Sequence, residues 1–123
     1  KMTIPYYISV HFVRHHIGCN HYVQSQRNDR QNKYDRNKAP QDEPVNHVMS
    51  INAQELVFMA HKRLCNQASP ETRAVMREIV DKVTEKCPEF KDFLVPLCEY
   101  RGGVCTEFYP CGYNKTIKEK SNG

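Results

Sequence analysis

The sequence predicts a single, mostly α-helical domain that carries a long polar loop and a cysteine-rich C-terminal segment. The chain has 123 residues, which is the size of one domain. Apolar residues recur at helical spacing between residues 52 and 87, whereas residues 24–43 contain no Val, Ile, Leu or Met. We expect the domain to span residues 1–113 and residues 114–123 to form a frayed polar tail.

Charge and hydropathy exclude several classes of protein. No apolar run approaches the roughly 18 residues that a membrane-spanning helix needs, so we expect no membrane association. Eighteen Lys and Arg residues against 14 Asp and Glu residues give a net charge of +4, which suits an anionic small ligand. The charged helical segments and the lack of a visible leader predict a cytoplasmic protein with reduced thiols.

The first element, between Thr3 and Ile17, fits two structures. Ile8, Val10 and Phe12 alternate with polar residues, which is typical of a strand. A helix that begins at Pro5 is equally compatible, with an apolar stripe on one face. The members of that stripe would be Tyr6, Val10, Val13 and Ile17. The local pattern leaves both structures open.

Two later helices have clear start signals. Asn52 and Glu55 have the spacing of a capping pair, and Leu56, Val57, Ala60 and Leu64 follow at helical intervals. Ser69-Pro70-Glu71 combines a cap, a proline in the first turn and an acidic residue. In this second helix we expect Val75, Ile79 and Val83 to form the apolar stripe, with Met76 and Val80 beside it.

The densest group of reactive side chains lies in residues 14–27. Its members are Arg14, His15, His16, Ser25 and Arg27. Guanidinium groups and hydroxyls bind phosphate well, so the segment is a candidate cradle for a nucleotide or dinucleotide. Cations also stabilise the C-terminal end of a helix through its dipole. The residues alone leave both interpretations open.

This segment resembles the signature of the flavin-dependent thymidylate synthases, the ThyX-type or thymidylate synthase complementing proteins. Arg14-His15-His16 followed by Ser25-Gln26-Arg27 echoes the family's Arg-His-Arg and Ser-x-Arg, with one extra residue between them. The helical region from Asn52 to Ser69 is also similar, and the interval from Asn52 to Arg63 matches the family's spacing. We expect a divergent or N-terminally truncated member. The resemblance favours a helix for the first element and implies an α+β fold, here mostly helices packed on a small or missing sheet.

The resemblance also implies a reaction and a set of site residues. The family methylates dUMP to dTMP reductively, with methylenetetrahydrofolate as carbon donor, NADPH as reductant and FAD as cofactor, in a homotetramer. The flavin contacts would be Arg14, His15, His16 and Asn52, and the dUMP contacts Ser25, Arg27 and Arg63. Arg63 would be catalytic, because a fixed cation stabilises negative charge that develops on the pyrimidine.

The C-terminal cysteines suggest a metal site. Cys98, Cys105 and Cys111 lie among glycines that let the backbone wrap an ion. Zinc and iron–sulfur clusters need four ligands, so one more would come from Cys65, Cys87, His61 or another chain. Disulfides or buried free thiols are the alternatives.

Two other functions compete with the enzyme. One is a small metal-stabilised binding module that uses the basic residues 27–38. Nucleic acid is a poor candidate partner, because this stretch also contains acidic residues and has a single aromatic, Tyr34. The other is an inactive remnant that acts only in association with other subunits.

Overall fold

The structure, a computed structural model, describes residues 1–23 and 44–122, with side chains up to Lys120. Contacts divide the chain into two compact units, Lys1–Glu55 and Leu56–Gly123. In the part of the chain that is described, no helix is both long enough and apolar enough to cross a membrane. The long polar loop predicted for residues 24–43 lies outside the described residues.

The first unit is built on a small antiparallel sheet. Its strands are β1 (Met2–Pro5), β2 (Cys19–Val23) and β3 (Pro44–Ile51), and β3 lies between the other two. Val45 and His47 are buried and alternate with exposed neighbours, as a strand with one covered face requires. The register pairs Ile4 with Val45 and His21 with Met49. The expected α+β fold with a small sheet is therefore confirmed.

Helix α1 (Tyr6–Val13) follows β1 directly. The helix suggested by the family resemblance is confirmed, and the strand interpretation of Ile8 to Phe12 is wrong. The predicted stripe is also wrong, since the buried residues are Ile8, Ser9 and Phe12. Ile8 and Phe12 lie one helical turn apart and share a face, whereas Ile17 follows the end of the helix and is 76% exposed.

Helix α2 (Ala53–Arg63) begins in the last residues of the first unit and continues into the second. Its predicted cap is confirmed, since the Glu55 backbone N–H donates to Asn52 Oδ1 at 2.9 Å. Within the second unit, α2 contributes Met59 and Ala60, both fully buried.

Helix α3 (Pro70–Lys86) starts as predicted. Ser69 Oγ accepts the backbone N–H of Thr72 at 3.3 Å, and Pro88 follows the end of the helix. The predicted stripe is displaced, because the buried residues are Thr72, Met76 and Val80, one turn apart on an adjacent face. Sequence spacing fits either face, and only the packing partner decides between them.

The remaining elements are short. A 3₁₀ turn (Pro88–Phe90), α4 (Leu97–Tyr100) and α5 (Tyr113–Asn122) complete the second unit. The segment predicted as a polar tail from residue 114 is helical in the described part, within α5, and the start of α5 has tertiary contacts. Asn114 Nδ2 donates to the Gly103 carbonyl at 3.2 Å, and Tyr113 Oη donates to Glu99 Oε2 at 3.2 Å.

Candidate functional site

The Arg-His-His motif occupies the end of α1 and the loop that follows it. Arg14 is the C-terminal cap of α1, and its side chain is exposed, as is that of His16. His16 Nδ1 donates to the Arg14 carbonyl oxygen at 3.1 Å, which places the His16 ring beside the Arg14 backbone. His15 points the other way and is half-buried.

The start of α2 is bonded to this motif loop. The Asn52 backbone N–H donates to the Gly18 carbonyl at 2.9 Å. Gly18 has φ +72°, and a Cβ at this position would lie 2.2 Å from Asn52 Nδ2. The close approach therefore requires glycine. Asn52, which the family resemblance placed with the flavin-binding residues, does lie next to the motif.

Glu55 connects the same two segments through its side chain. His15 Nδ1 lies 3.4 Å from Glu55 Oε1, and both side chains are largely buried. The ordinary capping box would turn the Glu55 carboxylate back to the Asn52 N–H. Here that N–H is bonded to Gly18, and the carboxylate lies beside His15 instead. The capping pattern identified Glu55, but its contact with His15 depends on the tertiary fold.

Two histidines, His21 and His47, are hydrogen-bonded to each other, and His21 is also bonded to the motif loop. His21 Nε2 is bonded to the His15 carbonyl oxygen, so this nitrogen is the donor. In neutral His21 the other nitrogen, Nδ1, is then the acceptor, and His47 Nε2 donates to it at 2.9 Å. Polar contacts therefore run without a break from β3 through β2 to the motif loop.

His47 is fully buried on β3, and its second ring nitrogen, Nδ1, has no hydrogen-bond partner among the described residues. Burial lowers the pKa of His47 to about 4, with a further contribution from the neighbouring His21. The ring is therefore neutral at physiological pH. His47 belongs to none of the sequence motifs, although its alternation with Val45 is a strand signal.

Ser25, Arg27 and Arg63 are the remaining predicted site residues. Ser25 and Arg27 lie outside the described residues. Arg63 is the last residue of α2, half-buried, in the second unit. A cation at this position stabilises the helix end whatever else it does. The catalytic role of Arg63 remains a prediction.

Four cysteines of the second unit share one small cavity. They are Cys65, Cys98, Cys105 and Cys111, which line a space of about 30 Å³. All are free thiols. Burial raises the pKa of Cys98, and the nearby thiols of Cys65, Cys105 and Cys111 raise it further. Cys19 and Cys87 do not line this cavity.

The structure does not show the predicted metal site in a formed state. Among residues 1–23 and 44–122, no three His, Cys, Asp or Glu side chains are grouped so that they could hold a metal ion. The site at Cys98, Cys105 and Cys111 therefore stays a prediction. Its thiols nevertheless line one space, which the sequence spacing alone did not establish.

Comparison with known proteins agrees with the second of the two resembling blocks. Residues 36–89 match the family described as "Thymidylate synthase complementing protein". The matched range contains Asn52 and Arg63, whereas Arg14-His15-His16 and Ser25-Gln26-Arg27 precede it. No curated protein and no solved structure matches the chain. Over residues 36–89 the chain is therefore similar to the thymidylate synthase complementing proteins.

Proposed function

We propose that this chain takes part in FAD-dependent conversion of dUMP to dTMP, with methylenetetrahydrofolate as carbon donor and NADPH as reductant. One observation carries the proposal beyond the family match. The Asn52 N–H within the matched segment is bonded directly to the Gly18 carbonyl of the motif loop, at 2.9 Å. The first residue of the second block, Asn52, is therefore a direct neighbour of the loop that carries Arg14-His15-His16.

The side chains of the motif loop fit a flavin nucleotide. FAD presents a pyrophosphate and ring carbonyl oxygens, which call for hydrogen-bond donors and positive charge. Arg14 supplies an exposed guanidinium, and the exposed His16 ring lies beside the Arg14 backbone. When bound, FAD would supply the hydride that the reductive methylation needs.

The buried partners of the loop orient it. Glu55 holds the ring of His15, and His21 holds its carbonyl oxygen. The side-chain amide of Asn52 is held at both of its ends. Its Oδ1 accepts the Glu55 backbone N–H, and its Nδ2 packs against Gly18. In this proposal these contacts pre-organise Arg14 and His16, so that little side-chain entropy is lost when the cofactor binds.

The proposed role of Arg63 is to stabilise negative charge on the pyrimidine of dUMP. Ser25 and Arg27 are proposed to bind the dUMP phosphate and sugar. The proposal for Arg63 rests on its place in the matched segment and on its interval from Asn52.

The first test is flavin binding by the purified chain. We expect a yellow protein that quenches FAD fluorescence at micromolar concentration. Arg14→Gln should weaken FAD binding about 10- to 100-fold, since a hydrogen bond to a charged group is worth about 1.5–3 kcal/mol. Arg77→Gln, an exposed arginine on α3, is the matched control and should bind normally. A colourless chain without measurable FAD binding would contradict the proposal.

The second test is dTMP formation by the FAD-loaded chain with dUMP, methylenetetrahydrofolate and NADPH. Arg63→Ala should abolish turnover while the circular dichroism of the helices is unchanged. Lys62→Ala removes a cation from the same helix end and should retain activity. Flavin binding without turnover in the unmodified chain would instead indicate the inactive remnant.

A further inference from the structure

We propose that Cys65, Cys98, Cys105 and Cys111 form a binding site for one soft divalent metal ion, with zinc as the expected occupant. The site lies in the second unit and has no part in the proposed flavin chemistry. We assign Cys65 as the fourth ligand, because it lines the same cavity as the other three cysteines and Cys87 does not.

The size of the cavity fits a single ion. Its volume is about 30 Å³, which exceeds the roughly 10–15 Å³ that a cavity needs to hold one water molecule, so a single metal ion fits inside it. Four cysteines among the lining residues form a donor set typical of tetrahedral zinc.

The wall of the cavity also carries an unsatisfied nitrogen. His61 is 6% exposed and lines the same space. The ring donates to the backbone carbonyl of Phe93, and Nε2 has no hydrogen-bond partner among the described residues. Since Nε2 is not the donor, it carries a buried lone pair. A lone pair in the wall favours a cation over an anion in the cavity.

The local backbone provides donors that stabilise thiolates. The Gln67 backbone N–H donates to Cys65 Sγ at 3.5 Å, and Asn66 Nδ2 donates to Cys111 Sγ at 3.7 Å. Such N–H···S contacts lower the cost of the charged form, which is the form that binds metal. Lys62 also lines the cavity and offsets part of the negative charge of four thiolates.

Binding requires the sulfur atoms to move closer together. Cys105 and Cys111 lie in the irregular segment between α4 and α5, which contains Gly102, Gly103 and Gly112 in left-handed conformations. Neither residue is held by a helix or strand. Four thiolates repel one another without a cation, and a divalent ion replaces that repulsion with attraction. The structure therefore shows thiols around a space rather than a formed coordination shell.

The experiment is a titration of the reduced, metal-free full chain with cobalt(II) and zinc(II). Cobalt should give thiolate charge-transfer absorption and the visible bands of a tetrahedral ion, with one equivalent bound per chain, and zinc should displace it. Cys65→Ser should lower the zinc affinity at least about 100-fold, since even outer-shell partners are worth about 10- to 100-fold. Cys87→Ser is the matched control and should bind normally.

Far-UV circular dichroism of each variant shows whether a loss of binding comes from loss of the fold. No cobalt spectrum and no bound zinc in the folded, reduced chain would overturn the proposal. If His61→Phe abolished binding while Cys65→Ser retained it, the assignment of four thiol ligands would be wrong. The metal titration needs no flavin, so loss of FAD binding in the chain would leave the metal result unaffected.

Discussion

Gly18 is the residue through which the motif loop and the start of α2 approach each other. Two separate properties of glycine are used here, the positive φ of +72° and the absence of a Cβ where Asn52 packs. Substitution would strain the backbone and push Asn52 away. A second glycine, Gly102, has a similar φ of +65° but nothing within 4 Å of its Cβ position. The chain thus allows the two effects to be separated.

Gly18→Ala should destabilise the chain more than Gly102→Ala does. Both variants carry the cost of a left-handed alanine, about 1–3 kcal/mol. Gly18→Ala adds the collision with Asn52, for which overpacking gives about 1–3 kcal/mol more. Urea unfolding of the two variants measures the difference. Equal losses of stability would show that Asn52 moves aside without cost.

The lowered pKa of His47 predicts how the free energy of unfolding depends on pH. Its pKa in the folded chain, about 4, is below the value of about 6.5 for an unfolded histidine. Between these values the unfolded state binds more protons, so stability is full above pH 6.5 and falls as the pH is lowered towards 4. The contribution of this group is at most about 1.4 kcal/mol per pH unit.

His47→Gln should remove that part of the pH dependence. Glutamine keeps an N–H that can donate to His21 Nδ1, and it does not titrate. The measurement is the free energy of unfolding at pH 5 and pH 7 in both proteins. The variant should lose less stability than the unmodified chain between these two values. An identical loss would mean that His47 is protonated in the folded state.

At the level of elements, α3 shows how packing selects one face of an amphipathic helix. Met76 is fully buried, whereas Val75, its neighbour in sequence, is half-buried. The sequence assigned the main stripe to Val75, Ile79 and Val83, and the fold buries Thr72, Met76 and Val80. Both stripes have the helical period.

Met76→Ala should cost about 2–5 kcal/mol of stability because it leaves a cavity in the core. Val75→Ala is the matched control on the same turn and should cost less than about 1 kcal/mol, since its side chain is only half-buried. Urea unfolding at a single pH compares them. A larger loss of stability for Val75→Ala than for Met76→Ala would mean that the helix buries the stripe of Val75, Ile79 and Val83.

At the level of the whole molecule, assembly remains a prediction from the family resemblance, which implies a homotetramer. Several large apolar side chains are exposed in the single chain. They include Ile17, Tyr22, Phe108 and Tyr109, all more than 60% exposed. Such surface is compatible with burial between subunits.

Sedimentation velocity should therefore detect a species larger than a monomer of 14.4 kDa. We expect the proportion of this species to increase with protein concentration and with added FAD, because the site shared between subunits that the resemblance implies would link cofactor binding to assembly. A dilution series without FAD is the control. A monomer at every concentration, with or without FAD, would contradict this prediction.

The sequence by itself determined the local features of the chain. The caps at Asn52 and Ser69 and the stop at Pro88 were predictable because each depends on residues within a few positions of one another. The motif residues and the likeness to thymidylate synthase complementing proteins were equally readable from order and spacing. The helix at Tyr6–Val13 needed the family resemblance, because the local pattern fitted a strand as well.

The tertiary structure alone decided the features that depend on distant residues. Strand pairing joins residues up to 45 positions apart, as Met2 is with His47, and no local pattern specifies such a partner. The contact of Glu55 with His15, the burial of Met76 in place of Val75 and the anchoring of α5 have the same origin. The cavity lined by four cysteines also depends on distant residues. The sequence shows which residues bear thiols, and only the tertiary structure shows which of these thiols line one cavity.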